Sequence, residues 1–188
     1  MRNTLTLAFL LLALPGIAQS FTLDELLKLR TMRPRQAATL LKSRGWKCVE
    51  SVRGAVPVEH RKEEWVRQPD TLVSQNLSRI IRVRIRPKIN VLYLKLAPCE
   101  LGNSIDERLY NGNEAKRRGE GSGIAPDGTT RRDDFFYLNK IAFDVHKKFD
   151  SNVLCLKSLY TIRPLIFYRK QSEAIDRVLG EKQWTWGN

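Results

Sequence analysis

Five basic residues stand within ten positions, Arg79, Arg82, Arg84, Arg86 and Lys88, with no acid among them. Ile81, Val83 and Ile85 alternate with Arg82, Arg84 and Arg86, a period of two that predicts a β-strand. On one face of that strand the three arginines stand about 7 Å apart, as the rise per residue dictates. Guanidinium forks engage carboxylate and phosphate oxygens two at a time. The spacing matches every second phosphate of a nucleic-acid strand, at about 3.4 Å per phosphate. A second basic cluster, Lys116-Arg117-Arg118, opens a glycine-rich stretch. These eight residues are the anion-binding candidates.

A different chemistry is offered by Asp133, Asp134, Asp144 and His146. Asp144 and His146 are two apart and share a face if their segment is a strand. Carboxylates on a divalent ion with histidine as general base would be hydrolase or nuclease chemistry. The plainer description is a polar outer face, with Ile141, Phe143 and Val145 turned inward. Gly119-Glu120-Gly121-Ser122-Gly123 has the glycine content of a phosphate loop. It lacks the preceding strand, the following helix and the Gly-Lys-Ser that such a loop needs. Of the three cysteines, Cys48, Cys99 and Cys155, none lies in a CxxC. With only His60 and His146 available, no zinc spacing is formed. No signature of a cysteine nucleophile surrounds Cys99. No cofactor and no metal are expected.

The elements that must position these residues begin after an exported-protein leader. Arg2, an apolar run from Leu5 to Leu14, then Pro15-Gly16 and small residues up to Ser20 have the three zones of a cleavable signal peptide. The apolar run is shorter than the ~20 residues of a membrane span. Residues 1–20 are therefore expected to be removed, leaving one domain over 21–188. Thr22-Leu23-Asp24-Glu25 is a capping box, with Leu23, Leu26, Leu27 and Leu29 on an apolar face. Pro34 opens a second helix that Gly45 ends, with Ala38, Leu40 and Leu41 toward the core. Trp46 to Glu50 and Glu63 to Arg67 read as short strands. Residues 81–86 and 89–96 read as a hairpin turned at Pro87-Lys88, with an arginine-lined outer face. The stretch 111–134, with five glycines and Pro126, reads as a long basic loop. Strand-like runs follow over 135–145, 153–162 and 165–170, then a helix over 173–182 capped by Ser172. Leu40 to Cys48 and Val178 to Trp186 share the grammar of a helix end running into a tryptophan strand, a faint internal echo. Trp184 and Trp186 suit core packing or a carbohydrate or partner platform. The fold class expected is α+β: two N-terminal helices, a mostly antiparallel sheet and one C-terminal helix.

Ala18-Gln19-Ser20-Phe21-Thr22-Leu23-Asp24-Glu25-Leu26-Leu27 and Leu40-Leu41-Lys42-Ser43-Arg44-Gly45-Trp46, up to Ser51, resemble a group of small exported bacterial proteins of unknown function. The resemblance covers about the first 50 residues and implies a periplasmic or secreted setting and a helix-then-strand unit. It brings no activity and no functional residues.

Charge narrows the function. Lys and Arg number 33 against 20 Asp and Glu, a formal +13. Such a surplus favours a polyanion: an acidic protein, anionic lipid, acidic glycan or nucleic acid. A hydrophobic content of 42% excludes wholesale disorder. The expected protein is an exported, non-enzymatic binding or interaction protein with a basic face. The alternatives are a secreted hydrolase or nuclease using Asp144 and His146, and a structural envelope protein whose charge serves solubility. The binding reading needs the arginines unpaired by acids and contiguous with Lys116–Arg118. The enzyme reading needs Asp144 and His146 to converge in a cleft with a third polar group.

Overall fold

Local sequence rules place the first two helices. In the computed structural model, which describes residues 21–54, 59–68, 77–85, 89–97, 102–124, 130–150 and 155–164, α1 spans Leu23–Thr31. Thr22 Oγ1 accepts from the Glu25 N–H at 3.3 Å, and the Glu25 carboxylate accepts from the Thr22 N–H at 2.9 Å. That reciprocal pair satisfies two donors the helix would otherwise leave open. α2 runs over Pro34–Ser43 and stops where Gly45 turns to φ +76°, a left-handed conformation that suits glycine. Leu23, Leu26 and Leu29 of α1 and Ala37 and Leu41 of α2 are buried. Leu27, Ala38 and Leu40 pack against that core from its margin.

Eight antiparallel strands form one sheet: β1 (Lys47–Gly54), β2 (His60–Arg67), β3 (Ser78–Ile85), β4 (Ile89–Leu96), β5 (Lys116–Ile124), β6 (Thr130–Leu138), β7 (Ile141–Asp150) and β8 (Cys155–Pro164). Their order is β1-β2-β3-β4-β8-β7-β6-β5. The chain thus writes one four-strand meander, crosses to the far edge, and writes a second that returns to pair β8 with β4. The crossing carries a short helix, α3 (Asn103–Asp106), which runs into a π-helical turn, Glu107–Asn111. Glycines bound it for steric reasons. A Cβ on Gly102 would stand 2.3 Å from the Tyr160 hydroxyl, and one on Gly112 would stand 2.3 Å from the Arg108 carbonyl oxygen.

The core lies between the helices and one sheet face. Leucines of α1 and α2, with Ile105 and Leu109 of the crossing, meet Trp65, Ile80, Leu92, Leu94, Phe136, Phe143, Val145, Tyr160 and Ile162. Ile81, Val83 and Val91 point to the opposite face by the alternation of their strands and are buried as well.

Three expectations are corrected. The molecule is mostly sheet, and its third helix among the described residues is the short mid-chain one, not a C-terminal one. The segments 165–170, 173–182 and 178–186 lie outside the described residues. The glycine-rich stretch is not a loop: residues 116–124 form strand β5, paired with β6. β5 is an edge strand whose every residue is exposed, so it carries no apolar alternation from which a strand could be read. Finally, the β3 alternation is inverted. The arginine side of the strand faces the helices, and Arg82 is among the largest fully buried side chains.

Candidate anion-binding site

The arginine row expected along β3 does not form an open face. Arg79 lies on the sheet face away from the helices and pairs with Glu64 at 3.1 Å. Arg82 is 1% exposed. Its Nε donates to the Leu29 carbonyl at 3.0 Å, its Nη2 to the Met32 carbonyl at 2.6 Å, and its Nη1 to Glu63. It therefore closes the C-terminal end of α1, where free carbonyls and the helix dipole favour a cation. Burial pulls its pKa down and the Arg84 and Arg61 charges add to that, while Glu63 opposes. Arg84 Nε donates to Asn90 Oδ1 at 3.0 Å. Arg86 and Lys88 lie outside the described residues.

The second cluster stands on the edge strand β5, with β4, β8, β7 and β6 between it and β3. Lys116 is exposed, Arg118 lies over the Tyr137 ring at 4.9 Å, and Arg117 pairs with Asp134 and Glu120. The two basic clusters are not contiguous.

Of the enzyme candidates, His146 and Asp133 meet, while Asp144 is held by Arg163. Asp144 Oδ2 accepts from Arg163 Nε at 2.9 Å. His146 Nδ1 lies 2.7 Å from Asp133, not Asp144, and the strand positions opposite it hold Asp133 and Leu159. Burial works to raise the Asp133 carboxyl, but hydrogen bonds from Arg131 and His146 hold it below its ordinary value. Among the described residues, no group of three or more His, Cys, Asp or Glu is placed to hold a metal ion. Cys48 is a free thiol on β1, largely exposed, and partial desolvation together with the Glu63 charge raises its pKa. Cys99 lies outside the described residues.

Basic residues do converge elsewhere, across strands rather than along one. Arg53 on β1 stands opposite Arg61 on β2, and Arg61 stands opposite Arg84 on β3. Like charges directly opposite on neighbouring strands are unfavourable, and here two such pairs lie in one row. The row ends at Asn90 on β4. Among the described residues, two acids attend it. Glu63, nearly buried, is shared between Arg61 and Arg82, and Glu59 meets Arg53 at 3.1 Å.

The start of α2 overlies the same end of the sheet. Its first turn holds no acid, and its N-cap, Arg33, makes no side-chain cap. The early backbone N–H groups of a helix point outward and normally find a Ser, Thr, Asp or Asn oxygen. Arginines at that end oppose the helix dipole. Arg33 and Arg35 are exposed, and neither forms an ion pair among the described residues. With Pro34, Gln36 and Arg61 they line a cavity of about 470 Å³. Just behind, Arg30 Nη1 donates to the Asn90 carbonyl at 2.9 Å while its buried Nε meets no acceptor. Burial lowers the Arg30 pKa.

Three cations, Arg33, Arg35 and Arg61, flank this cavity. Its described lining offers no nucleophile, and guanidinium groups stay protonated, so they give no general acid or base. Sequence reasoning missed it because Arg53, Arg61 and Arg84 are far apart in the chain and meet only through strand register. One local signal was present: Arg33-Pro34-Arg35 places two cations on a helix start that normally carries acids.

No family model matches this chain, and no match was found among the curated proteins or the solved structures. No helix among the described residues is long and apolar enough to cross a membrane.

Proposed function

We propose that this chain is an exported, non-enzymatic binding protein that takes an anionic partner at the start of α2. The observation that carries the reading is the convergence of Arg33 and Arg35, free of ion pairs among the described residues, with Arg61 on one cavity. The net charge of +13 favours the encounter at long range. Export is supported by the leader pattern of Met1 to Ser20 and by the likeness of residues 18–51 to small exported bacterial proteins. The basic residues of β3 and β5 serve this reading less. Arg79, Arg82 and Arg117 already hold carboxylates.

The test is equilibrium binding of the purified chain, at low and high salt, to a panel of anions: a labelled oligothymidylate, phosphatidylglycerol vesicles, heparin, inorganic phosphate and glycerol 3-phosphate. Salt-sensitive binding to at least one, weakened by Arg35→Ala and untouched by Arg118→Ala, is the expected result. Absence of binding to every member at low salt, with the protein folded, removes the proposal.

A further inference from the structure

We infer that the outer edge of β5 is a template for an acidic, extended polypeptide segment, which adds to the sheet there as a further strand. The inference goes beyond the anion-binding reading and uses another part of the molecule. β5 ends the strand order, and all nine of its residues are exposed. One side of its backbone pairs with β6. The other side has no strand beside it among the described residues, so it presents a row of N–H and C=O groups. An extended peptide matches such a row in both donors and acceptors, and a nucleic acid or a glycan does not. A β-bulge at Arg118 interrupts the register near one end, and residues 119–124 then pair with β6 without a break. The regular edge is therefore six residues long.

The composition of β5 is poor for a strand that nothing completes. It buries no side chain, and glycine weakens a strand interior. Gly119, Gly121 and Gly123 alternate, so they share one face, opposite Phe135, Asp133 and Arg131. The molecule's own packing does not require them: a Cβ on Gly119 or Gly123 would meet nothing within 4 Å, and none of the three has a positive φ. On that face the edge is bare backbone, which leaves room for the side chains of an added strand. Charge selects the partner. Lys116 and Arg118 are exposed and form no ion pair among the described residues, while Arg117 holds Glu120. β5 and β6 together carry five cations against three acids. On the opposite edge, β1 holds Arg53 against Glu59 and Glu50 against Lys62, which leaves Lys47 as its free charge. A second copy of this chain, also at +13, would be repelled. A strand with acids beside Lys116 and Arg118 would be drawn in.

The test uses the full chain at low salt and a short fluorescent peptide alternating glutamate with valine. Three relatives of that peptide serve as controls: one with a central proline, one with lysine in place of glutamate, and an oligoglutamate of equal length. Expected is saturable binding of the glutamate–valine peptide by anisotropy, with amide exchange slowed over residues 116–124 and unchanged over 47–54. The proline and lysine peptides should bind at least about tenfold more weakly, and so should the oligoglutamate. Lys116→Glu combined with Arg118→Glu should weaken binding by a similar factor, about tenfold, with circular dichroism and melting temperature kept because both residues are exposed. Arg35→Ala should leave this binding unchanged, which separates the edge from the site at α2. If the proline peptide or the oligoglutamate binds as well as the alternating one, the contact is charge alone and the strand inference falls. If protection appears over residues 33–37 and Arg35→Ala removes binding, the edge assignment falls and the α2 reading gains. Protection over 47–54 instead would move the template to β1 and overturn the assignment to β5. No binding of any peptide to the folded chain overturns the inference and leaves the α2 reading to its own test.

Discussion

At the scale of single residues, the molecule places its strongest charges where they complete its own fold. Arg82 is the clearest case. Its three donors meet the Leu29 and Met32 carbonyls and the Glu63 carboxylate inside the core. Removing one partner of a buried pair strands the other charge, at about 3–5 kcal/mol. Arg82→Ala should therefore lower stability by that order in urea melts. Arg82→Leu combined with Glu63→Leu should cost less than Arg82→Ala alone, because the one cation then left without Glu63, Arg61, is partly exposed to solvent. A double variant weaker than the single would show the pair to be worth more than its removal cost. Asp134 offers a pH counterpart. Its side chain is fully buried. Burial works to raise its carboxyl, but hydrogen bonds from Tyr110, Arg117 and Arg132 overcome this and hold it below the ordinary carboxylate range. A depressed carboxyl stabilises the fold above the unfolded value of about 3.9. That contribution is lost as pH falls through the folded value. Asp134→Asn should be less stable near neutral pH and show a shallower loss below about pH 4. An unchanged acid slope would discount this carboxylate.

At the scale of elements, each helix end has its own chemical solution. α1 begins with the Thr22–Glu25 box, and Thr22→Ala should cost about 1 kcal/mol in thermal melts. The π-helical turn ends at Gly112, where a Cβ would meet the Arg108 carbonyl at 2.3 Å with no flexible side chain to yield. Gly112→Ala should thus cost more than Thr22→Ala, and the loss should appear as faster amide exchange in residues 103–111. α2 is the exception, since its start has no side-chain cap and no acid. Much of this was legible in sequence, because capping boxes, Pro34 and Gly45 act over a few residues. The strand at β3 was legible too, from its alternation. Which side faced inward was not. Isoleucines normally win that choice, but here both faces of β3 are covered and the carbonyls ending α1 require a donor, which Arg82 supplies. β5 escaped notice for the opposite reason. An edge strand exposed on both faces needs no apolar residues, and its pairing with β6 is a matter of backbone alone. The arginine site was legible only at Arg33-Pro34-Arg35, since the rest depends on cross-strand register.

At the scale of the whole molecule, the chain uses one plan twice: helix, then four-strand meander. The repeat that sequence grammar suggested, between residues 40–48 and 178–186, is not this one. The two halves meet along β4 and β8, whose paired positions run from Leu92–Ile162 to Leu96–Ser158. Two polar contacts join the helical layer across the same seam: Ser104 Oγ donates to the Phe21 carbonyl at 3.2 Å, and Arg108 pairs with Asp24. The hydrophobic core does not stop there. Leu92 and Leu94 from the first half lie in one cluster with Phe143, Val145, Tyr160 and Ile162 from the second. A seam made of backbone pairing alone would let the halves open separately. One made also of shared core should couple them into a single cooperative unit. Leu94, opposite Tyr160 and fully buried, is the residue to test. Leu94→Ala should cost about 2–5 kcal/mol, as a buried leucine truncation does. The diagnostic readout is hydrogen exchange followed separately on β2 and β6, which lie in different halves and pair with neither each other nor β4. If both strands lose protection by the same free energy, the halves fold as one body and the repeated plan is only architectural. Loss confined to β2 would show two independently stable meanders joined at an edge.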